Sequence, residues 1–166
     1  MSLKKVMVIG AVALGLSAGG EQVLKQYEGY RGSVYADLGG VDTACWGTTN
    51  FDKGKRQFTR EECQRYFDRD VQAFATKVNR YLKVPVTQEE FDALVIFAYN
   101  VGDGALLRSQ LLQYLNAGDC LQAGAEFPKW AYVRSGRSKR LVLGVLNRRF
   151  EEQHLFTQGC MKRLGV

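Results

Sequence analysis

The feature that most restricts the fold is a repeated helix start. Thr59 with Glu62, and Thr87 with Glu90, each set a threonine three residues before a glutamate at the head of an apolar pattern, so that hydroxyl and carboxylate can satisfy the first free amides of a helix. After the first box, Phe58, Cys63, Tyr66, Phe67, Val71, Phe74 and Val78 follow helical spacing, which predicts a long helix from about Thr59 to Tyr81. Pro85 breaks the chain, and Phe91, Leu94, Val95, Ala98 and Tyr99 give the next helix a broad apolar face, one that needs helical neighbours on several sides. Gly102 and Gly104 end it. Leu106 to Ala117 reads as a further helix stopped by Gly118, and Asp119 as the cap of another running through Phe127. A last amphipathic helix is expected from about Ser138 to Phe156, carrying Leu141, Val145, Leu146, Arg148, Arg149, Glu151 and Glu152. The single β region expected is Gly32 to Gly54, where turn residues are dense and β-branched or aromatic residues come in short runs. It follows a short helix, EQVLKQYEG, with Val23, Leu24 and Tyr27 on one side and Gly29 as its stop.

With 166 residues, 46% of them hydrophobic, and two prolines, the chain has the material for one compact domain and the wrong composition for disorder. A net charge of +6 favours an acidic partner, and charge alone does not choose among nucleic acid, anionic lipid and a carboxylate-rich polymer. At the N-terminus, MSLKKVMVIGAVALGLSAGG sets Lys4 and Lys5 before a charge-free run from Val6 to Gly20, the layout of an export signal. As a helix that run rises about 22 Å against a hydrocarbon core of about 30 Å, and its glycines and alanines make it a weak anchor. Small residues at Ser17, Ala18 and Gly19 also suit a cleavage site. The division expected is therefore residues 1–20 as an export or anchor segment and residues 21–166 as the functional domain. Cys45, Cys63, Cys120 and Cys160 form no C-x-x-C pair and have no neighbouring histidine, so no metal and no redox site is expected. In an exported chain disulfides fit better. Sequence does not select among the three connectivities; the pairing expected joins Cys45 to Cys63, hairpin to long helix, and Cys120 to Cys160, chain end to helical lobe.

The stretch EGYRGSVYADLGGVDTACWG holds the chemistry. Glu28 stands at a helix end, Asp37 in a glycine-rich turn and Thr43 six residues on, as E-x8-D-x5-T. Cleaving a glycosidic bond takes one carboxylic acid to protonate the leaving oxygen and a second carboxylate at the anomeric carbon. Glu28, beside an apolar body, is the candidate to keep a proton, and Asp37 the one to stay ionised. The Thr43 hydroxyl, both donor and acceptor, suits the positioning of a water.

The same spacing, with FDALVIFAYNVGDGAL, RSQLLQYLNAGD and LGVLNRRFEE in order behind it, resembles the phage-type lysozymes, the endolysins of bacteriophages. The resemblance covers nearly all of the chain after residue 20. It implies an α+β phage-lysozyme fold, with a small β-hairpin lobe and a larger helical lobe flanking a polysaccharide cleft. It implies a monomeric muramidase that hydrolyses, by inversion, the bond between N-acetylmuramic acid and N-acetylglucosamine in peptidoglycan glycan strands, with Glu28 as general acid and Asp37 and Thr43 on the attacking water. No cofactor is implied. Two positions depart from the family pattern, Asp42 where an aromatic usually precedes the threonine and Thr48 where histidine usually follows the glycine. They raise the alternative of a catalytically weak, murein-binding relative.

Residues 1–20 resemble the signal-arrest-release helices of some endolysins, which hold the enzyme on the inner membrane facing the periplasm and later release it into the periplasm. If the helix continued outward, Glu28 would stand only about 12 Å from the membrane. The segment contains no cysteine, so release would be conformational, and the freed segment is expected to pack on the domain. A nucleic-acid-binding role fits the charge but finds no binding motif. His154 is expected on a helix surface, the Gly102-Asp103-Gly104 run as a helix stop, and Trp130 in the core. Arg134, Arg137, Lys139, Arg140, Arg148 and Arg149 are expected as a solvated face with salt bridges to Glu151 and Glu152.

Overall fold

The computed structural model describes residues 13–37, 40–135 and 138–166. Helix α1 (Ala18–Glu28) leads into an antiparallel hairpin, β1 (Arg31–Ala36) and β2 (Asp42–Cys45), whose register sets Tyr35 opposite Thr43 and Ala36 opposite Asp42. The long α2 (Arg60–Tyr81) then crosses the molecule, followed by α3 (Gln88–Val101), α4 (Asp103–Leu107), α5 (Gln110–Asn116), α6 (Cys120–Ala125), a 3-10 turn (Phe127–Ala131), a second hairpin of β3 (Tyr132–Ser135) and β4 (Ser138–Leu141), and α7 (Leu143–Leu164). Thr59 and Thr87 both form complete capping boxes with Glu62 and Glu90.

Two cores result, and α2 serves both. Its Cys63 and Phe67 join Leu24, Ala44, Trp46, Phe58 and Ile96 under the β lobe, while Ala75 and Val78 join the helical core. Helix α3 is that core's axis: every residue from Ala93 to Ala98 is fully buried, as a helix surrounded by others requires. Helix α7 lies against it, and Gly159 makes the approach possible, since a Cβ there would stand 2.2 Å from Thr87 Oγ1 and 2.8 Å from the Glu90 amide. Disulfides join Cys45 to Cys63 and Cys120 to Cys160.

Several elements differ from the expectation. The span read as one helix from Leu106 to Ala117 is broken, because Ser109 starts α5 by accepting from the Leu112 amide. The helix capped by Asp119 ends at Ala125 and continues as the 3-10 turn. A second hairpin stands where the last helix was expected to begin, and α7 starts at Leu143. Its ends, Tyr132 and Leu141, are exposed, so the pairing leaves no alternating apolar signature to read. Trp130 stacks edge-on against Phe97 beside the core, and His154 is exposed with Gln158 as its partner.

Residues 1–12 and Arg137 lie outside the described residues. Residues 13–17 form a non-helical arm on the domain. Asn79 holds Leu14 on both sides, its Oδ1 accepting from the Leu14 amide and its Nδ2 donating to the Leu14 carbonyl, and Gln88 donates to the Gly15 carbonyl. Ser17 caps α1 and gives both its amide and its hydroxyl to Asp92. Leu14 and Leu16 pack against the cores. Among the described residues no helix is long and apolar enough to cross a membrane.

Candidate active site

Glu28 is the last residue of α1, and Gly29, at φ 66°, turns the chain into β1. Its side chain is 17% exposed. Oε1 accepts from Arg148 Nη1 at 2.8 Å. Oε2 faces Gly47, where an added Cβ would stand 3.1 Å away. The wall beside the acid is thus a guanidinium from α7 and not the apolar surface expected.

The hairpin brings Asp37 and Thr43 to one end through the backbone of Val41. Asp37 Oδ1 accepts from the Val41 amide at 2.8 Å, and Thr43 Oγ1 donates to the Val41 carbonyl at 3.0 Å. Asp37 is exposed and Thr43 buried. With its proton committed to Val41, the Thr43 hydroxyl presents lone pairs to an incoming O–H.

The two departures from the family pattern have structural partners. Asp42 is exposed and paired with Arg56 at 2.9 Å. Thr48 is buried and donates to Asp70 Oδ2 at 2.5 Å, while Arg69 bonds Asp70, Thr48 and the Asn50 carbonyl. Behind Gly47, Tyr99 donates to the Trp46 carbonyl at 2.8 Å. Burial, then the charges of Asp70 and Glu28, push the Tyr99 hydroxyl above its ordinary range, so it remains a donor.

The solvated face expected for Arg148, Arg149 and Glu152 is corrected here: all three are buried. Arg148 bonds Glu28 through Nη1, Glu152 through Nε and the Ile96 carbonyl through Nη2, and it lies over the Tyr27 ring. Arg149 reaches Asn100 and Glu152 and lies over Phe97. Glu151 stays on the surface, where it accepts from the Tyr27 hydroxyl, and Arg140 is exposed as expected. Sequence reasoning missed Arg148, Glu152, Gly47 and Tyr99 as parts of the site. One signal was present, because Arg148, Glu152, Phe156 and Cys160 share a single i, i+4 stripe whose lower half is plainly core.

The comparisons with known proteins agree with this architecture. The phage lysozyme family profile matches residues 25–152. An endolysin of Bacillus phage PZA is 41% identical over 153 residues, which span 90% of this chain and 58% of that protein, less than two thirds of its length. A SAR-endolysin of Escherichia phage Mu is 30% identical over 158 residues, covering 93% of this chain and 90% of that one. Among solved structures, the endolysin from Escherichia coli O157:H7 phage FAHEc1 superposes with a TM-score of 0.80 at 33% identity, over 87% of this chain and 94% of that one. The α+β lobes, the glutamate between them and these likenesses lead to one conclusion: the chain belongs to the phage lysozyme family.

Proposed function

We propose that the protein is an endolysin, a muramidase that hydrolyses the bond between N-acetylmuramic acid and N-acetylglucosamine in peptidoglycan and so lyses the host cell. The observation that carries this reading is the divided Glu28 carboxyl, one oxygen held by Arg148 and the other facing Gly47. Oε2 gives its proton to the glycosidic oxygen, and the carboxylate left behind stays paired with Arg148. Asp37 and Thr43, tied together through Val41, orient a water at the anomeric carbon, and Asp37 takes its proton. Attack by water from the face opposite the leaving group inverts the configuration, so the first product is the α-anomer. Asp42 and Thr48, engaged with Arg56 and Asp70, leave this chemistry open, which favours an active enzyme over a murein-binding relative. The test is initial rates on purified peptidoglycan for wild type beside Glu28→Gln. A loss of at least about a hundredfold with an unchanged fold supports the assignment; half the activity retained overturns it.

A tethered stage is supported by the likeness to a SAR-endolysin of Escherichia phage Mu and by the charge-free run from Val6 to Gly20. In a membrane, residues 6–17 would need helical backbone, whereas the arm at 13–17 is non-helical and bonded to Asn79, Gln88 and Asp92. The two arrangements exclude each other. Release from the inner membrane into the periplasm then includes docking of the arm, and the working enzyme is a monomer.

A further inference from the structure

Two carboxylates share one guanidinium behind the candidate acid. Arg148 donates from Nη1 to Glu28 Oε1 at 2.8 Å and from Nε to Glu152 Oε1 at 3.1 Å. Arg149 Nη2 lies 3.2 Å from the same Glu152 oxygen. With all four charged, the cluster of Glu28, Arg148, Glu152 and Arg149 is neutral. We propose that Glu152 is a positioning residue for the general acid: it fixes Arg148 against Glu28, and its charge offsets the two guanidiniums that stand beside that acid. The inference rests on the assignment of Glu28 as the acid.

The geometry supplies the reasons. An arginine side chain has many rotamers to lose, and Arg148 is immobilised by Glu152 at Nε, the Ile96 carbonyl at Nη2 and the Tyr27 ring. Of these only Glu152 carries charge. If Glu152 loses it, two cations face Glu28 alone in a poorly solvated site, and their uncompensated field opposes the departure of a proton to the glycosidic oxygen. The means of losing it is built in. Both arginine contacts fall on Oε1, while Oε2 has no hydrogen-bond partner among the described residues, so a proton can add at Oε2 without breaking either contact. Burial pushes Glu152 up to about 7, close to neutrality.

The groups facing Glu152 are few. From α7 come Arg148 and Arg149, with Glu151 turned away to Tyr27 and the exposed His154 lining the same cavity as Glu152. From α1 come Glu28 and Tyr27. Helix α3 offers the neutral Asn100 amide to Arg149, and Tyr99 beside the Glu28 and Arg148 pair. Around the 3-10 turn, Glu126 and Lys129 neutralise each other.

The test compares Glu152→Gln, Glu152→Asp and Glu152→Ala with wild type, measuring kcat and KM on purified peptidoglycan between about pH 5 and 9. Glutamine keeps the shape and an acceptor for Arg148 Nε but not the charge. We expect kcat to fall about tenfold at neutral pH, KM to stay within about twofold, and the alkaline limb of the pH profile to move to lower pH. Aspartate restores the limb in part, and alanine loses more than glutamine. A readout free of activity is the 15N resonance of Arg148 Nε in the wild type, expected to titrate with a midpoint near 7. If a variant misfolds, that resonance decides alone. Wild-type kcat and pH profile in Glu152→Gln, or an Arg148 Nε signal flat across the range, overturns the inference. The two readings fail separately: an active Glu28→Gln removes the acid assignment, whereas an inactive Glu28→Gln beside a fully active Glu152→Gln removes only the role of Glu152.

Discussion

Gly47 holds φ 82° between Glu28 Oε2 and the Tyr99 ring, with room for no side chain on the Glu28 side. Gly47→Ala adds a Cβ at 3.1 Å from the oxygen that would deliver the proton, and a side chain at positive φ costs about 1–2 kcal/mol by itself. We expect thermal stability to fall by that order and lysis by at least about tenfold, since small displacements of a reacting group are costly. Full activity would show that this contact does not aim the carboxyl. Glu152 predicts a pH dependence of stability. Its folded-state value of about 7 lies above the ordinary 4.5, so between those limits the folded chain binds more protons than the unfolded one. Its contribution is present at low pH and lost as pH rises through about 7. Denaturant unfolding from pH 5 to 7 should therefore show stability declining in wild type and a flatter course in Glu152→Gln. Glu21, Glu62 and Glu89, lowered by their bonds to Lys25, Lys55 and Lys162, act below this window. Their stabilisation disappears only as pH falls further.

At the scale of elements, the molecule depends on where helices are allowed to touch. Gly159 lets α7 reach the capped start of α3, and the obstacles to a larger residue include the Glu90 amide, which cannot swing aside. Gly159→Ala should cost about 3 kcal/mol by overpacking, read as a lowered midpoint in thermal unfolding; a cost near zero would mean that the two helices can separate freely. The ion pair of Arg163 with the buried Glu90 closes the same contact from the end of α7. The disulfides act elsewhere, tying β2 to α2 across 18 residues and α6 to α7 across 40. By the chain-entropy account they contribute about 3 and about 4 kcal/mol. Replacing Cys120 and Cys160 with alanine should therefore destabilise slightly more than replacing Cys45 and Cys63, as urea midpoints would show.

For the whole molecule, the proposed tethered stage would set membrane insertion against docking of the arm at residues 13–17, since both need the same backbone. Both carboxylate oxygens of the buried Asp92 are spent on Ser17 and Gln88, so Asp92→Ala should weaken docking, enrich the membrane fraction and delay lysis. Leucine at Gly10, Ala11 and Gly15 should delay lysis from the other side, by strengthening insertion. Position 15 tolerates it in the docked form, because a Cβ there meets nothing within 4 Å. Intact mass and N-terminal sequencing of periplasmic protein during lysis provide the check. Recovery only of chains that begin after Ser17, with neither change affecting timing, would leave an ordinary secreted enzyme.

What is local was encoded in adjacent residues. Capping boxes at Thr59 and Thr87 act within four residues, glycine stops within two, and the hairpin between Gly32 and Gly54 follows from its turn chemistry; these were legible without any partner. The spacing of Glu28, Asp37 and Thr43 was legible too, as a group of residues. What surrounds them was not. Whether Arg148 lies in water or in the interior depends on Glu28, 120 residues away, and a helical pattern of charges reads as a solvated face until such a partner is known. Likewise the docking of Ser17, the cap of α1, depends on Asp92, 75 residues beyond it. These points were settled by packing, because the free energy of a buried charge or of a hydroxyl bonded to a distant carboxylate belongs to a contact between segments and leaves no periodicity in either one.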